Sequence, residues 1–400
     1  MPAPEREPRL RRRLTKLGLA FAAGILMKLF ECQNCGQPLY FENTRCESCG
    51  YALGYLPGRE TVTALKPFND LWQALAAPRK RYRYCANAVH KVCNWLISAD
   101  LPDQYCAACR HNRTIPDLSQ DGNLSNWRLI EVAKHRLFYT LLKLKLPLAT
   151  KAEAPGGLAF DFLADGADGD AGVPVLTGHA NGLITINLAE ADDAERERRR
   201  HQMRAPYRTL LGHFRHEIAH YYWKHVVANS PGLEKFRDLF GDERRDYGES
   251  LQQYHANGAP HDWEDHFISA YASAHPWEDF AETWAHLFHM IDTLEAANAF
   301  GLVVKPKLSQ SPAASMDFDP HHAGLDRLIE AWLPLTFAVN SINRSMGLHD
   351  LYPFVLNPLT IAKLAFIHER IHAQAGRSTG PDNDIRAMIS GLRQRTGLAG

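Results

Sequence analysis

A short segment that begins at His216 carries the residue types of a catalytic metal site. Its sequence is His-Glu-Ile-Ala-His, so His216 and His220 are four residues apart and Glu217 follows the first of them. Residues four apart lie on one face of a helix, so both imidazoles can bind one metal ion. Zinc held in this way lowers the pKa of a bound water toward about 7. Glu217 is then placed to accept a proton from that water and pass it to a leaving amine.

The third ligand of such a site decides the class of enzyme. A metzincin needs glycine three residues and histidine six residues after the second histidine, but Trp223 and Val226 occupy these positions. The alternative is a glutamate from a later helix, with an acidic residue four positions on that orients a ligating histidine. Glu278 and Glu282 have this spacing. We therefore predict that Glu278 binds the metal and that Glu282 accepts a hydrogen bond from an imidazole N–H.

Other histidines compete for these roles, because the chain contains 20 of them. A His-Glu-x-x-His motif then arises by chance in roughly one such sequence in twenty. The apolar residues of 205–226 have helical spacing, and this supports a metal-binding role for the motif. His213 is expected to lie beside a ligand or at the surface, and His275 could point into the cleft. His286 and His289 are expected to pack against the core or face solvent.

The first four of the eight cysteines form two C-x2-C-G pairs ten residues apart: Cys32, Cys35, Cys46 and Cys49. Each pair presents two thiolates from one tight turn, and the following glycine permits a positive φ. Two such turns give the tetrahedral four-sulfur coordination of a structural zinc. All eight cysteines precede residue 110, which favours metal thiolates in a reducing compartment over scattered disulfides. We therefore expect a cytoplasmic protein.

The remaining four cysteines, Cys85, Cys93, Cys106 and Cys109, have looser spacing. Only the last two form a C-x2-C pair, and the first two are separated by seven residues within a stretch expected to be helical. A second four-cysteine zinc site is the economical interpretation, since it leaves no cysteine over. His90 could replace one ligand, and packing cysteines or a partial site remain alternatives.

Composition restricts the kind of protein further. The chain has 400 residues, with 45 basic and 45 acidic side chains, 45% hydrophobic residues and 22% charged ones. These are ordinary globular values, and the length suggests two or three domains. Nucleic-acid-binding proteins usually carry a basic excess. Arg45 is the only basic residue within the first cysteine site, so nucleic acid is not an expected partner.

The first 26 residues join a cluster of arginines to the apolar run 17–27. This resembles the start of a signal peptide, but the run is too short to span a bilayer and no convincing cleavage site follows it. A start at Met27, a disordered arm, a membrane-associating helix and secretion are the alternatives. We expect no transmembrane span.

The order of predicted elements indicates an α+β fold that is mainly helical. Positions 56–84 are expected to be a linker with a short apolar helix, and Ser125 is expected to cap a helix at 125–146. Strands are predicted at 158–163, 175–176 and 182–188, and helices at 205–226, 232–241, 278–297, 325–344 and 358–373. We divide the chain into a leader (1–26), a zinc-ribbon region (27–120), a zincin-like metallopeptidase domain (121–373) and a polar tail (374–400).

One further residue connects these motifs to a known class. The order His216 to His220, then Tyr271, then Glu278 to Glu282 resembles the gluzincin pattern of lethal-factor-type metallopeptidases. In those enzymes a tyrosine seven residues before the glutamate ligand stabilises the tetrahedral oxyanion, and Tyr271 has that offset. A phenol donor is chemically suited to this role.

The arrangement over residues 27–370 is similar to a bacterial family of zinc-binding metallopeptidases with an N-terminal zinc ribbon. Met-Lys-Leu-Phe-x-Cys-Gln-Asn-Cys-Gly-Gln-Pro-Leu carries the ribbon part of the resemblance. His-Glu-x-x-His-Tyr-Tyr-Trp and His-Pro-Trp-Glu-Asp-Phe-Ala-Glu-Thr-Trp carry the peptidase part. The resemblance implies zinc and a peptidase-like fold.

Two functional hypotheses follow. In the first, the chain is a zinc metallopeptidase with one catalytic and two structural zinc ions, and its substrate is a peptide or protein bound as an added strand. The segment 182–188 is the predicted edge strand, and Tyr352 and Phe354 could line the far side of the cleft. In the second, it is a non-catalytic scaffold whose ribbons bind a protein or nucleic acid. Zinc-dependent hydrolysis of a non-peptide amide is an alternative to the first.

Overall fold

The computed structural model describes residues 29–165, 175–192, 195–196, 198, 209–307 and 313–374. The expected leader (1–26) and the tail beyond residue 374 lie outside these residues, as does the start of the helix predicted from position 205. Within them, long helices accompany small sheets. The α+β class predicted from the sequence is confirmed.

The region that contains the cysteines is built mainly from short strands. They are β1 (Phe30–Glu31), β2 (Pro38–Leu39), β3 (Ala52–Leu56), β4 (Thr61–Phe68), β5 (Leu71–Ala74), β6 (Arg81–Tyr84) and β7 (Leu96–Ser98). β1 and β2 form a hairpin in the first cysteine site, and β3 to β7 form an antiparallel meander in chain order. This meander carries the second cysteine site at its end.

The predicted linker with a short helix at 56–84 is wrong, because β4, β5 and β6 occupy it. Val62, Thr63 and Ala64 are completely buried in β4, where β-branched side chains pack well. Asn69 lies at φ +52° in the two-residue turn that pairs β4 with β5, a conformation that asparagine tolerates. A short apolar run has the same appearance in a helix and in a strand, and the turn decides between them here.

The meander curls until its first and last strands touch. Tyr55 in β3 forms a parallel bridge with Trp95, which precedes β7, and the Tyr55 N–H donates to the Asn94 carbonyl at 2.9 Å. One face of this curled sheet packs on the main core. The other face carries a separate apolar cluster of Leu56, Leu65, Ala74, Tyr82 and Leu96.

A second sheet lies in the following part of the chain. Its strands are β8 (Asn112–Thr114), β9 (Ala159–Leu163), β10 (Gly178–Ala180) and β11 (Leu183–Asn187), in the spatial order β10-β11-β9-β8. β8, β9 and β11 are parallel, and β10 is antiparallel to β11. The predicted strands at 158–163 and 182–188 are present, but positions 175–176 are not a strand. The prediction that 182–188 is the edge is also wrong, because the hairpin turn at Asn181-Gly182 adds β10 outside β11.

Seven α-helices lie wholly within the described part of the chain. They are α1 (Asn123–Lys143), α2 (Leu210–Trp223), α3 (Leu233–Phe240), α4 (Tyr247–Asn257), α5 (Pro276–Ala299), α6 (Leu325–Ser345) and α7 (Pro358–Gln374), with the short strands β12 (Val303–Val304) and β13 (Ala314–Ser315) between α5 and α6. The sequence did not predict α4. Ser125 is not the cap of α1, because the helix begins at Asn123 after Gly122.

The helices α2 and α5 pack against each other at the centre of the molecule. The rings of Tyr222 and Trp284 stack across this interface with centroids 5.4 Å apart and planes at 12°. One contiguous core joins these helices to α1 and to the cysteine region. None of the helices within the described residues combines the length and the apolar character needed to cross a bilayer.

Candidate metal centre and active site

Helix α2 places two histidines on one face. Thr209 caps it by accepting a hydrogen bond from the Gly212 N–H at 3.0 Å, and buried residues such as Phe214 and Ile218 hold it in the core. The opposite face of the helix carries His216 and His220 on consecutive turns, and their Nε2 atoms lie 3.2 Å apart. The predicted helix therefore directs both imidazoles to one point.

Helix α5 brings a carboxylate to the same point. The helix begins at Pro276, and His275 caps it by accepting from the Trp277 N–H at 3.1 Å. Glu278, in the first turn, is completely buried, with Oε2 3.0 Å from Nε2 of His216 and Oε1 3.5 Å from Nε2 of His220. His275 thus holds the end of the helix, and its Nε2 lies 3.2 Å from the Arg245 carbonyl. It does not point into the cluster.

The donor set of His216, His220 and Glu278 fits a zinc ion. Their ligand atoms all lie within 4.8 Å of one another, and tetrahedral zinc with bonds of about 2.0–2.1 Å needs separations of about 3.3 Å. Oε2 of Glu278 is buried and accepts no hydrogen bond within the described residues. A buried acceptor without a donor is costly, and a cation at this point would satisfy it.

The protonation states of Glu278 and His220 also suit a cation. Burial opposes ionisation of Glu278, but the neighbouring imidazoles of His220 and His216 outweigh it and lower the pKa of Glu278 to about 2. Burial lowers the pKa of His220 to about 4. The carboxylate is therefore ionised and this imidazole neutral at pH 7, as metal binding requires.

Glu282 lies one turn beyond Glu278 and contacts one of the two imidazoles. Its Oε1 is 2.8 Å from Nδ1 of His216, and its Oε2 accepts a hydrogen bond of 2.6 Å from the Ser269 hydroxyl. A carboxylate on Nδ1 fixes the ring and leaves Nε2 for a metal. The separation of Ser269 from the other site residues matches no known motif, so its contact with Glu282 could not be predicted from the sequence.

Two tyrosines flank the cluster. Tyr271, in a single turn before α5, is half-buried with its ring centroid 6.0 Å from that of His216. Tyr247, the first residue of α4, donates a hydrogen bond of 2.8 Å to Oε1 of Glu278. Burial raises the pKa of both phenols, and the negative charges of Glu278 and Glu217 raise it further. Both hydroxyls therefore stay protonated as donors.

The sequence did not indicate Tyr247, because it lies 31 residues before Glu278 in a helix that was not predicted. The sequence did not indicate His179 of β10 either, because its contact with His220 depends on how the strand packs. The ring of His179 stacks on that of His220 with centroids 6.2 Å apart and planes at 18°. Its Nε2 accepts from the Gly182 N–H at 3.0 Å. The outer strand of the second sheet therefore runs beside the histidine pair.

The other histidines and aromatic residues considered above lie away from the cluster. Nδ1 of His213 is 3.0 Å from Oε2 of Glu190, and Nδ1 of His286 is 2.7 Å from the Tyr352 hydroxyl. His289 contacts Arg215. Tyr352 is buried against His286, so it does not line an open cleft in the way considered above.

The first four cysteines lie together as predicted. Their sulfurs are all within 4.8 Å, with 3.7 Å between Cys32 and Cys49 and 3.6 Å between Cys35 and Cys46. Tetrahedral zinc with Zn–S bonds of about 2.3 Å separates its sulfurs by about 3.8 Å. Gly36 and Gly50 have φ near +73° and +74°, which is the positive φ predicted after each pair.

The second four cysteines also converge, and all are buried. Cys93 and Cys106 lie 3.7 Å apart, and the Cys106 N–H donates to Sγ of Cys85 at 3.4 Å. His90 lies against Trp127 and is not in this cluster. The histidine beside the sulfurs is instead His135 of α1, with Nε2 3.7 Å from Sγ of Cys109. This site therefore joins the ribbon region to the first long helix.

A buried polar network between α1 and α5 also contains metal-ligand types. Thr140 donates to Asp292 at 2.8 Å and Tyr139 donates to Glu295 at 2.6 Å, while Arg215 of α2 pairs with Asp292. His321 lies beside Glu295. Donors of α1 and the Arg215 cation of α2 contact these carboxylates, so this network links the three helices.

Comparison with known proteins agrees with these features. A family model described as "Putative zinc-binding metallo-peptidase" matches residues 123–370, and a zinc-ribbon domain model matches residues 29–120. An uncharacterized protein of Mycobacterium bovis and one of Mycobacterium tuberculosis are each 40% identical to the chain over 344 residues, which is 86% of this chain and 94% of the relative. No solved structure matches the chain significantly.

Proposed function

The chain belongs to the zinc-binding metallopeptidase family, and from this premise we propose that it hydrolyses peptide bonds as a gluzincin-type enzyme. Its zincin-like domain is 121–373, and its ribbon region is 27–120. The observation that carries the proposal is the convergence of His216, His220 and Glu278 on one point, with Glu217 on the same helix.

The residues around the cluster have separate roles in this proposal. When bound by the three ligands, zinc supplies Lewis-acid chemistry that acidifies water and polarises a carbonyl group. Glu217 accepts the proton of the attacking water and delivers it to the leaving nitrogen. Tyr271 donates its hydroxyl to the oxygen that becomes negative as the carbonyl carbon turns tetrahedral. Glu282 holds His216 in orientation through Nδ1.

The substrate binds as an extended strand in this account. β10 ends the second sheet, with β11 on one side and no described strand on the other. An added strand would pair with β10, and His179 in that strand stacks on His220. The binding edge is therefore β10, and β11 supports it from behind.

The two cysteine clusters hold one structural zinc ion each in this proposal, which gives three zinc ions per chain with the catalytic one. The separations of 3.6–3.7 Å between sulfurs support four-sulfur coordination in both. Such thiolate sites are typical of a reducing compartment, so we place the protein in the cytoplasm.

The proposal is tested by a proteome-wide cleavage profile of the wild-type protein against Glu217→Gln. The variant keeps all three ligands of the cluster, so it should retain zinc while new peptide termini appear only with the wild type. If neither protein produces cleavage, or if both produce the same termini, the hydrolytic role of Glu217 is wrong. Retained zinc without any turnover would favour the scaffold hypothesis.

A further inference from the structure

A cavity of about 650 Å³ lies on the curled sheet β3 to β7, apart from the cluster on α2 and α5. Its walls are the turn after β3, the loop between β5 and β6 and the segment that leads into the second cysteine pair. We propose that this cavity binds an acidic peptide segment. One apolar side chain of the peptide enters the cavity, and peptide carboxylates on either side of it meet the basic walls. The proposal goes beyond the hydrolytic function and does not depend on it.

The floor of the cavity is apolar. Leu56, Tyr82 and Leu96 line it, and the same three residues belong to the separate apolar cluster on the outer face of the sheet. Ala76 and Ala77 form a low wall, so small side chains keep the space open. An apolar side chain of a ligand would bury its surface here, which favours binding.

The walls are basic. Arg59 comes from the turn after β3, Arg79 and Lys80 come from the loop between β5 and β6, and Arg110 follows the second cysteine pair. One carboxylate, Asp103, lies among these four cations. Cations that converge from separate segments on one concavity raise the local potential and attract an anion.

Three of these cations are available to a ligand. Arg59, Arg79 and Lys80 are exposed and form no ion pair with any residue that the structure describes. Arg110 differs, because it pairs with Glu153. A ligand carboxylate would therefore meet cations that no internal carboxylate neutralises.

The cavity walls are held in place before any ligand arrives. Gln73 Nε2 and Arg81 Nη1 donate to the Pro78 carbonyl at 3.0 and 3.1 Å, which fixes the loop between β5 and β6. Arg83 Nη2 donates to the Asp103 carbonyl at 2.6 Å, which fixes the opposite wall. A preformed site loses little conformational entropy when it binds.

The shape favours a peptide over a nucleic acid. A volume of 650 Å³ falls in the range of about 300–1,000 Å³ that holds small ligands or a few side chains. Single-stranded nucleic acid needs exposed aromatic rings on which bases stack. Tyr82 is only 5% exposed, and Tyr105 is the one exposed aromatic ring of the lining. An apolar floor between separated cations instead matches a leucine flanked by glutamates.

Fluorescence anisotropy of the full chain measures this binding directly. The probe is a fluorescein-labelled short peptide with a central leucine flanked on both sides by glutamates, and the background is Glu217→Gln, so that the peptide stays intact. The charge variant is Arg79→Ser with Lys80→Ser. The steric variant is Gly58→Phe, which adds a large ring at a residue that lines the cavity. A Cβ at this position meets no atom within 4 Å, so the chain can fold with the ring in place.

Matched controls come from the same chain. Lys66→Ser with Lys305→Ser removes two exposed lysines that do not line the cavity. Gly156→Phe adds the same ring at another glycine with open space around its Cβ. Further probes are the peptide with glutamines for glutamates, the peptide with glycine for leucine, and an oligouridine of similar length.

We expect both cavity variants to weaken peptide binding at least about tenfold, while the two controls bind like the parent. Both altered peptides should also bind more weakly, and added salt should weaken binding of the parent peptide. Equal binding by cavity and control variants would overturn the proposal, and so would failure of the parent chain to bind the peptide. Tighter binding of the oligouridine would assign the basic wall to nucleic acid and overturn it too.

Discussion

The hydroxyl of Tyr247 donates a hydrogen bond of 2.8 Å to Oε1 of Glu278, while Oε2 of the same carboxylate lies 3.0 Å from Nε2 of His216. The phenol ring is fixed in turn, because it packs edge-on against the ring of His275 at 5.2 Å. The hydrogen bond therefore sets the rotation of the Glu278 carboxylate and leaves Oε2 for the cluster. Tyr247 and Tyr271 consequently have different expected functions, although both are phenols beside the same carboxylate.

Tyr247→Phe should weaken zinc binding at the α2–α5 cluster by about tenfold or more, as is typical when a group that orients a ligand is lost. The fold should persist, because only the hydroxyl is removed. Competition with a chelator measures the affinity. Tyr254→Phe is the control, since Tyr254 lies on the same helix and its hydroxyl forms no hydrogen bond within the described residues. Equal affinity in both variants would contradict the role of Tyr247.

Tyr271→Phe should lower kcat/KM on a peptide substrate by about 10² to 10³, the usual cost of a lost oxyanion donor. Its zinc content should equal that of the wild type, because Tyr271 forms no hydrogen bond to His216, His220 or Glu278 in the structure. Steady-state kinetics with metal analysis of the same sample checks both statements. Unchanged kcat/KM, or a loss of zinc that explains the lower rate, would contradict this assignment.

Glu282→Gln and Ser269→Ala should both weaken zinc binding, and Glu282→Gln should have the larger effect, about 10- to 100-fold. Glu282 contacts His216 directly, whereas Ser269 reaches His216 through Glu282 and also accepts from the Ala272 N–H at 3.2 Å. Ser273→Ala provides a control, because its hydroxyl bonds the Ala270 carbonyl and not the cluster. A Ser269→Ala effect as large as that of Glu282→Gln would show that the order of contacts is wrong.

The local part of the site could be predicted from spacing, and the long-range part could not. His216, Glu217 and His220 are close because a helix places residues four apart on one face. Glu278 and Glu282 were predicted from the same rule on a second helix. Nothing in the sequence relates Tyr247 or His179 to these residues, because their contacts depend on how α4 and β10 pack against α2 and α5.

The ribbon region was predicted less well than the helices. The cysteine pairs are recognisable because metal geometry demands their spacing, but the meander between them was interpreted as a linker. Three of its strands, β3, β4 and β7, bury residues on both faces, one toward the main core and one toward the cluster around Tyr82. Strict alternation of apolar and polar residues is then lost, and with it the usual sign of a strand. The basic cavity lies on this sheet, so it could not be predicted without the strands that form it.

Acid should destabilise the protein partly through two histidines of α7. Nε2 of His368 lies 3.1 Å from Nε2 of His372 in the core, and burial, with the charge of His372, lowers the pKa of His368 from 6.5 to about 4. Below pH 6.5 the unfolded chain therefore takes up a proton that the folded chain refuses, and stability is lost as the pH falls toward 4. At about 1.4 kcal/mol per pKa unit, the loss approaches about 3 kcal/mol.

Urea unfolding at a series of pH values checks this effect. His368→Gln should show a smaller fall in the free energy of unfolding between pH 6.5 and 4 than the wild type. His349→Gln should behave like the wild type, because His349 is exposed. Parallel curves for all three proteins would show that His368 does not contribute to acid lability.

The zinc content of the purified chain, compared between wild type and His216→Ala, tests the central claim most directly. The account predicts three zinc ions per wild-type chain and two in His216→Ala, with the two four-cysteine sites still filled. Two zinc ions in both proteins would contradict the claim that His216, His220 and Glu278 form a zinc site.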